Sequence, residues 1–162
     1  MEEVTILFTG GTIDSYYDVN KCIPIPFSES KIPEYVEKSL FLDDSVSLNY
    51  VQICSKDSRD VTDADRQKMC EAIDGSPCAR FVITHGTFTM FETAKYLRKH
   101  LKNQDKKIVI TGSMVPLIGF YHSDAHFNLG YSLGYLQNFR NGVWVCIKGR
   151  IFSAEEEAQL HF

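Results

Sequence analysis

Four strand-like segments in this chain end in the same kind of turn, and that recurrence limits the folds open to it. Residues 4–9 are apolar on both faces and run into Gly10-Gly11-Thr12-Ile13. Residues 45–54 alternate only in part and run into Ser55-Lys56-Asp57-Ser58-Arg59-Asp60. Residues 79–84 lead into His85-Gly86-Thr87-Phe88-Thr89, and residues 107–111 into Gly112-Ser113-Met114. A β-branched run without a polar face reads as a strand buried on both sides, the habit of parallel sheets. Helix-length stretches lie between these segments. Thr62-x-x-Asp65 and Thr89-x-x-Glu92 each read as a capping box opening a helix, the second running over 90–102. Ser123-Asp124-Ala125 caps another helix, through Phe127, Leu129, Leu133 and Leu136, and 33–38 is a short helix with Pro33 in its first turn. Gly75-Ser76-Pro77 and Gly142 act as breakers. A last apolar strand follows at 143–147, then a turn and strand at 149–152 and a helical start at 154–157. Strands alternating with helices predict an α/β fold of three layers, a mainly parallel sheet with helices on both faces, Rossmann or flavodoxin-like in type.

At 162 residues the chain is long enough for one domain with a substantial core, taken as 1–162. A net charge of −4 and the lack of a basic run argue against a nucleic-acid surface. No apolar run is long enough for a membrane span, and Met1-Glu2-Glu3 runs into the first strand without a signal-peptide pattern. Five widely spaced cysteines, odd in number and without C-x-x-C, predict reduced structural thiols in a cytoplasmic protein. Neither a zinc site nor any other metal or cofactor is expected. His122 and His126 stand four apart, as metal ligands on a helix can, but Asp124 between them belongs to a cap and no third ligand is evident. Gly10-Gly11 lacks the G-x-G-x-x-G pattern of a dinucleotide site, so a nucleotide-binding module ranks last.

In open α/β sheets, ligands sit beyond the carboxyl ends of the strands. The four turns would converge there, bringing hydroxyls and backbone N–H groups to one polar pocket for a small ligand, with the makings of an oxyanion hole. Ser58 and Arg59 precede the Thr62 cap and so are not explained by capping. Residues 14–21 read as a surface loop able to close over that pocket. His85 could be a general base or a structural residue.

Five motifs, in order, resemble the bacterial type I and type II L-asparaginase/glutaminase family. They are Thr9-Gly10-Gly11-Thr12-Ile13, Asp57-Ser58-Arg59-Asp60-Val61-Thr62, Ile83-Thr84-His85-Gly86-Thr87-Phe88-Thr89-Met90, Thr111-Gly112-Ser113-Met114-x-Pro116 and Ser123-Asp124-Ala125-x-Phe127-Asn128-Leu129. The resemblance covers nearly the whole chain but only the family's larger N-terminal domain, and the family's C-terminal domain is expected to be absent. It implies a metal-free threonine amidohydrolase acting on a small amide or amino-acid ligand, in a homodimer. Thr12 would be the nucleophile and Thr87 a second catalytic threonine. A tyrosine of the loop after Thr12, Tyr16 or Tyr17 with Tyr17 taken as the candidate, would assist. Ser58 and Arg59 would hold the substrate carboxylate, and Gly11 and Gly86 would supply backbone contacts. In the family the equivalent of His85 is mainly structural.

The sequence also departs from the family pattern. Phe88 stands where the family has an Asp that would bind the substrate's α-amino group and support a Thr–Lys relay. The family's Lys lies past the last strand. Residues 153–159 contain none; Gln159 or a neighbour takes that place, and Lys148 comes too early. Arg59 replaces a usual Gln and would make a stronger, bidentate clamp. Two functions follow: a hydrolase for L-asparagine or a related amide, or a catalytically impaired binding protein on the same scaffold.

Overall fold

Strand β1 (Glu2–Gly10) forms the middle of the sheet because its residues are apolar on both faces, and the two faces feed different cores. The computed structural model describes residues 2–40, 42–137 and 140–156. Val4, Ile6 and Phe8 pack on helices α1 (Ile32–Ser39) and α4 (Ala125–Leu136). Leu7 packs on helices α2 (Asp63–Gly75) and α3 (Met90–His100). The same alternation of period two divides β5 (Arg80–Thr84), where Phe81 and Ile83 face one way and Val82 the other. It also divides β6 (Lys107–Thr111), with Ile108 and Ile110 opposed to Val109. This gives the expected three layers.

Two short strands, β2 (Ser15–Asp18) and β3 (Ile23–Pro26), form a separate antiparallel pair. The main sheet adds β4 (Val46–Lys56), β7 (Gly142–Ile147) and β8 (Arg150–Ser153). Its order is β4-β1-β5-β6-β7-β8, parallel throughout except for the last pair. Numbering only its five parallel strands, the order is 2-1-3-4-5, the flavodoxin-like arrangement. In that arrangement the chain's direction across the sheet reverses between β1 and β5, and the crevice opens there.

Several local expectations are corrected. The segment 14–21 is not a plain loop: Thr12–Asp14 makes one 3-10 turn, and β2 and β3 then form a hairpin. Its tip is closed by Asp18, whose carboxylate accepts from the N–H of Asn20 and of Lys21, an Asx turn encoded in Asp-x-Asn-Lys. Thr62 and Asp65 do form a reciprocal capping box on α2. Thr89 and Glu92 do not cap α3. The Thr89 hydroxyl donates instead to the carbonyl of Ser58, 2.6 Å away, and Glu92 turns to Arg66. Asp124 likewise leaves its helix uncapped by side chain and accepts from the N–H groups of Met114 and Val115 and from Asn128. Phe127 is exposed and stacks on Tyr131 rather than entering the core. The helical start at 154–157 is a turn at 154–155, with Glu157 outside the described residues.

Candidate active site

The four strand ends meet backbone to backbone, and glycines make that approach possible. β1 and β4 run in register until an irregularity between Phe8 and Gly10, after which the Gly11 N–H donates to the Lys56 carbonyl at 2.8 Å. A Cβ on Gly10 would lie 2.6 Å from the Lys56 nitrogen. One on Gly11 would collide with the Gly86 nitrogen, and one on Gly112 with the His85 carbonyl. One on Gly86 would lie 2.7 Å from Cβ of Ser58. Gly10 and Gly11 have φ of 91° and 74°, a region costly for residues with side chains. The predicted contacts Gly11, Ser58, Gly86 and Thr87 are thereby brought together at the β1/β5 crevice, and Thr12 follows directly from Gly11.

The hydroxyls at this end of the sheet fall into two groups. Thr9 donates to the Thr84 carbonyl, Thr111 to Cys146 and Ser113 to Val115. These satisfy the backbone and are structural. Among the described residues, nothing hydrogen-bonds the side chains of Thr12, Ser58 or Thr87, although Ser58 and Thr87 are buried and Thr12 is half-buried. The backbone N–H groups of Thr12 and Thr87 also have no partner among the described residues. None of these hydroxyl oxygens is sealed from solvent, so this edge presents three hydroxyls and two N–H donors that are open to a ligand.

The turn bearing Thr12 is anchored by its neighbours. The Ser15 hydroxyl donates to the Gly11 carbonyl at 2.6 Å, and the Leu117 N–H to the Ile13 carbonyl. Asp14, buried, accepts from the Lys31 N–H at the start of α1. Burial raises its carboxyl above the usual range, against hydrogen bonds from Ser30 and Lys31. Asp14 was not legible as a support residue, since a carboxylate in a polar stretch looks solvated.

Arg59 and Phe88 adjoin each other, one following Ser58 and the other Thr87. The guanidinium lies 5.0 Å from the Phe88 ring centre, in cation–π range. Its Nε and Nη2 donate to the two oxygens of Asp57, so the fork expected for a substrate carboxylate is held by the chain's own Asp57. Phe88 itself is 70% exposed at the mouth. Tyr17, the candidate assisting tyrosine, is 44% exposed on β2 and sits edge-on to Phe120. Tyr16 points to the other face of the hairpin, against Phe27. Neither hydroxyl is hydrogen-bonded to Thr12 among the described residues.

His85 is fully buried, with Nδ1 on the Gly86 carbonyl and Nε2 on Thr93. Burial lowers its pKa to about 4, and the Gly86 carbonyl and the Thr93 hydroxyl occupy both ring nitrogens. Lys56 pairs with Asp65 at 2.7 Å behind the site. Burial alone would raise Asp65, but the hydrogen bonds from Lys56 and Thr62 outweigh it and bring the carboxyl to about 2. Lys148 occupies the tight turn between β7 and β8, with φ of 53° followed by 69° at Gly149, a two-residue hairpin loop. Gln159 lies outside the described residues. His126 bonds the Ser123 carbonyl and packs on Tyr35. Among the described residues no group of three or more His, Cys, Asp or Glu is placed to hold a metal.

Against this geometry the comparisons are decisive. The family model "Asparaginase, N-terminal" matches residues 3–161. The chain belongs to the asparaginase N-terminal domain family. L-asparaginase 1 of Escherichia coli K12 is 29% identical over 99% of this chain and 48% of its own length. L-asparaginase 2 of the same organism is 32% identical over 80% of this chain and 37% of its own. Among solved structures, a probable cytoplasmic L-asparaginase from Campylobacter jejuni matches with a TM-score of 0.81 and 29% identity, over 95% of this chain and 48% of that one. The thermostable L-asparaginase from Thermococcus kodakarensis gives a TM-score of 0.80 at 25% identity, over 94% and 46%. This asparaginase-family chain thus spans about half the length of the relatives it matches.

Proposed function

We propose that this chain is a threonine amidohydrolase that converts a small amide, L-asparagine or a related one, and water to the acid and ammonia. Thr12 Oγ attacks the amide carbon, ammonia leaves from the tetrahedral intermediate, and water then cleaves the Thr12 ester. The idle N–H groups of Thr12 and Thr87 are donors for the developing oxyanion, and Ser58 and Thr87 hydroxyls orient the substrate. The observation that carries this reading is the trio of unpartnered hydroxyls on glycine-locked turns at the one edge where four strand ends meet. Tyr17, on its tethered hairpin, is the group we assign to assist Thr12, and Arg59 acts on a substrate carboxylate once Asp57 releases its fork. Residues 1–162 form one domain in this reading, for which we propose a cytoplasmic location and pairing as a homodimer. The dimer is checked by sedimentation: a mass of one chain at high concentration would remove it.

A second reading is favoured by one observation. Phe88 offers no carboxylate to an α-ammonium, and the Arg59 guanidinium beside it is a like charge that repels one. The protein would then bind a small acid or amide without turnover. Ammonia release from L-asparagine, L-glutamine and simpler amides separates the two. Release supports the hydrolase, whereas silence with a small acid still raising the melting temperature supports the binder. Phe88→Asp is expected to tighten L-aspartate binding by about tenfold or more, through a new charge-assisted bond. Unchanged affinity in calorimetry would show that Phe88 alone does not exclude the amino acid.

A further inference from the structure

A chain of hydrogen bonds with only one possible direction runs from the surface into the candidate site. Arg66, on α2 and almost fully buried, donates from Nε to the Thr93 hydroxyl at 3.1 Å. Thr93 Oγ1 lies 2.9 Å from His85 Nε2. His85 Nδ1 lies 2.8 Å from the Gly86 carbonyl. The Gly86 end fixes the protons, and the Arg66 end holds the Thr93 hydroxyl beside the ring. An arginine has only donors and a carbonyl only acceptors. His85 therefore carries its proton on Nδ1 and gives it to Gly86. The bare Nε2 takes the Thr93 proton, and the Thr93 oxygen is left to accept from Arg66.

Every peptide bond described is trans, so the Thr87 N–H points opposite to the Gly86 carbonyl. Pinning that carbonyl on a fully buried ring turns the Thr87 N–H away from the interior. That N–H is one of the idle donors described above. We propose that Arg66, acting through Thr93 and His85, is a positioning residue that locks the Gly86–Thr87 peptide with its N–H turned outward. Without Arg66 the Thr93 hydroxyl is no longer held beside His85: it can back-bond to its own helix, or it can stop donating to the ring and let the ring proton move to Nε2. In the second case His85 Nδ1 has no proton for Gly86, and the peptide is free to turn.

The partners of Arg66 on the outer side, Asp63 and Glu92, are well exposed and are left in water when it is removed, so Arg66→Met should fold. The test uses the full chain labelled with nitrogen-15, read by ring and amide NMR. Wild type is expected to show His85 protonated on Nδ1 alone and a single Thr87 amide signal. Arg66→Met should give mixed ring tautomers and a broadened or doubled Thr87 signal, and Arg66→Lys, which can still donate to Thr93, should restore both. Turnover of the best amide should fall about tenfold or more in Arg66→Met and return in Arg66→Lys. A wild-type proton on Nε2, or ring and Thr87 signals unchanged in Arg66→Met, would overturn the proposal. Altered signals with unchanged turnover would overturn its bearing on the reaction. The turnover reading rests on the amidohydrolase assignment, whereas the ring and amide signals do not. If wild type turns over no amide, those signals still decide the network while the hydrolase reading fails.

Discussion

Thr12→Val is expected to reduce ammonia release by about a thousandfold or more, to the level of a protein-free blank, while the melting temperature stays within a few degrees. The substitution exchanges a hydroxyl for a methyl of nearly the same shape and keeps the β-branch. Nothing among the described residues is bonded to that hydroxyl, so its removal leaves no partner unpaired. The 3-10 turn that carries it is held by others: Ser15 on Gly11, Leu117 on Ile13 and Asp14 on Lys31. Stability should therefore change by no more than about 1 kcal/mol. Steady-state ammonia assays with matched unfolding curves make the measurement. Turnover that survives in a folded Thr12→Val protein would transfer the nucleophile's role to another group, Thr87 being the next hydroxyl at the same edge.

Gly11→Ala should cost about 3 kcal/mol or more and should remove ligand binding with it. Two independent effects add. The residue has φ of 74°, which an L side chain adopts only with strain. The new Cβ would also meet the Gly86 nitrogen and Cα, backbone atoms that cannot rotate away as a side chain tip can. Relief requires β1 and β5 to part at their carboxyl ends, the very place where Thr12 and Thr87 are set. Gly134→Ala is the contrasting case. Gly134 is an exposed interior residue of α4 with open space around its missing Cβ, so alanine should stabilise by about 0.5–1 kcal/mol. Urea unfolding of the two variants gives opposite signs. A Gly11→Ala protein as stable as wild type would mean that the strand ends are not locked as described.

Much of this was written in local pattern. Val4-Thr5-Ile6-Leu7-Phe8 forms a buried central strand because it has no polar face to turn to water, and Thr62-x-x-Asp65 caps its helix because both partners lie within one turn. The glycines beside Thr12 and Thr87 marked the turns, and the motif order marked the family. Arg66 and Thr93 were legible in principle. Arg66 shares the spacing of Met69, Cys70 and Ile73, and Thr93 that of Met90, Ala94 and Leu97, so each is a polar residue on a buried helical stripe. Other features needed the folded chain. Thr89 and Asp124 carry the residues of a cap, yet each bonds a neighbouring turn instead, because the fold brings the Ser58 carbonyl and the Met114 and Val115 N–H groups within hydrogen-bond reach of their side chains. Arg59 has the chemistry of a ligand clamp but closes on Asp57, two residues away, and on Phe88, which only the pairing of β1 with β4 and β5 brings near. The sequence by itself determined the strands, the helices and the glycine turns, since these depend on neighbours a few residues apart. The choice of which hydroxyls serve the backbone and which stay open to a ligand was made by tertiary structure alone, because a hydroxyl's partner is whatever the packing of distant strands puts within 3 Å of it.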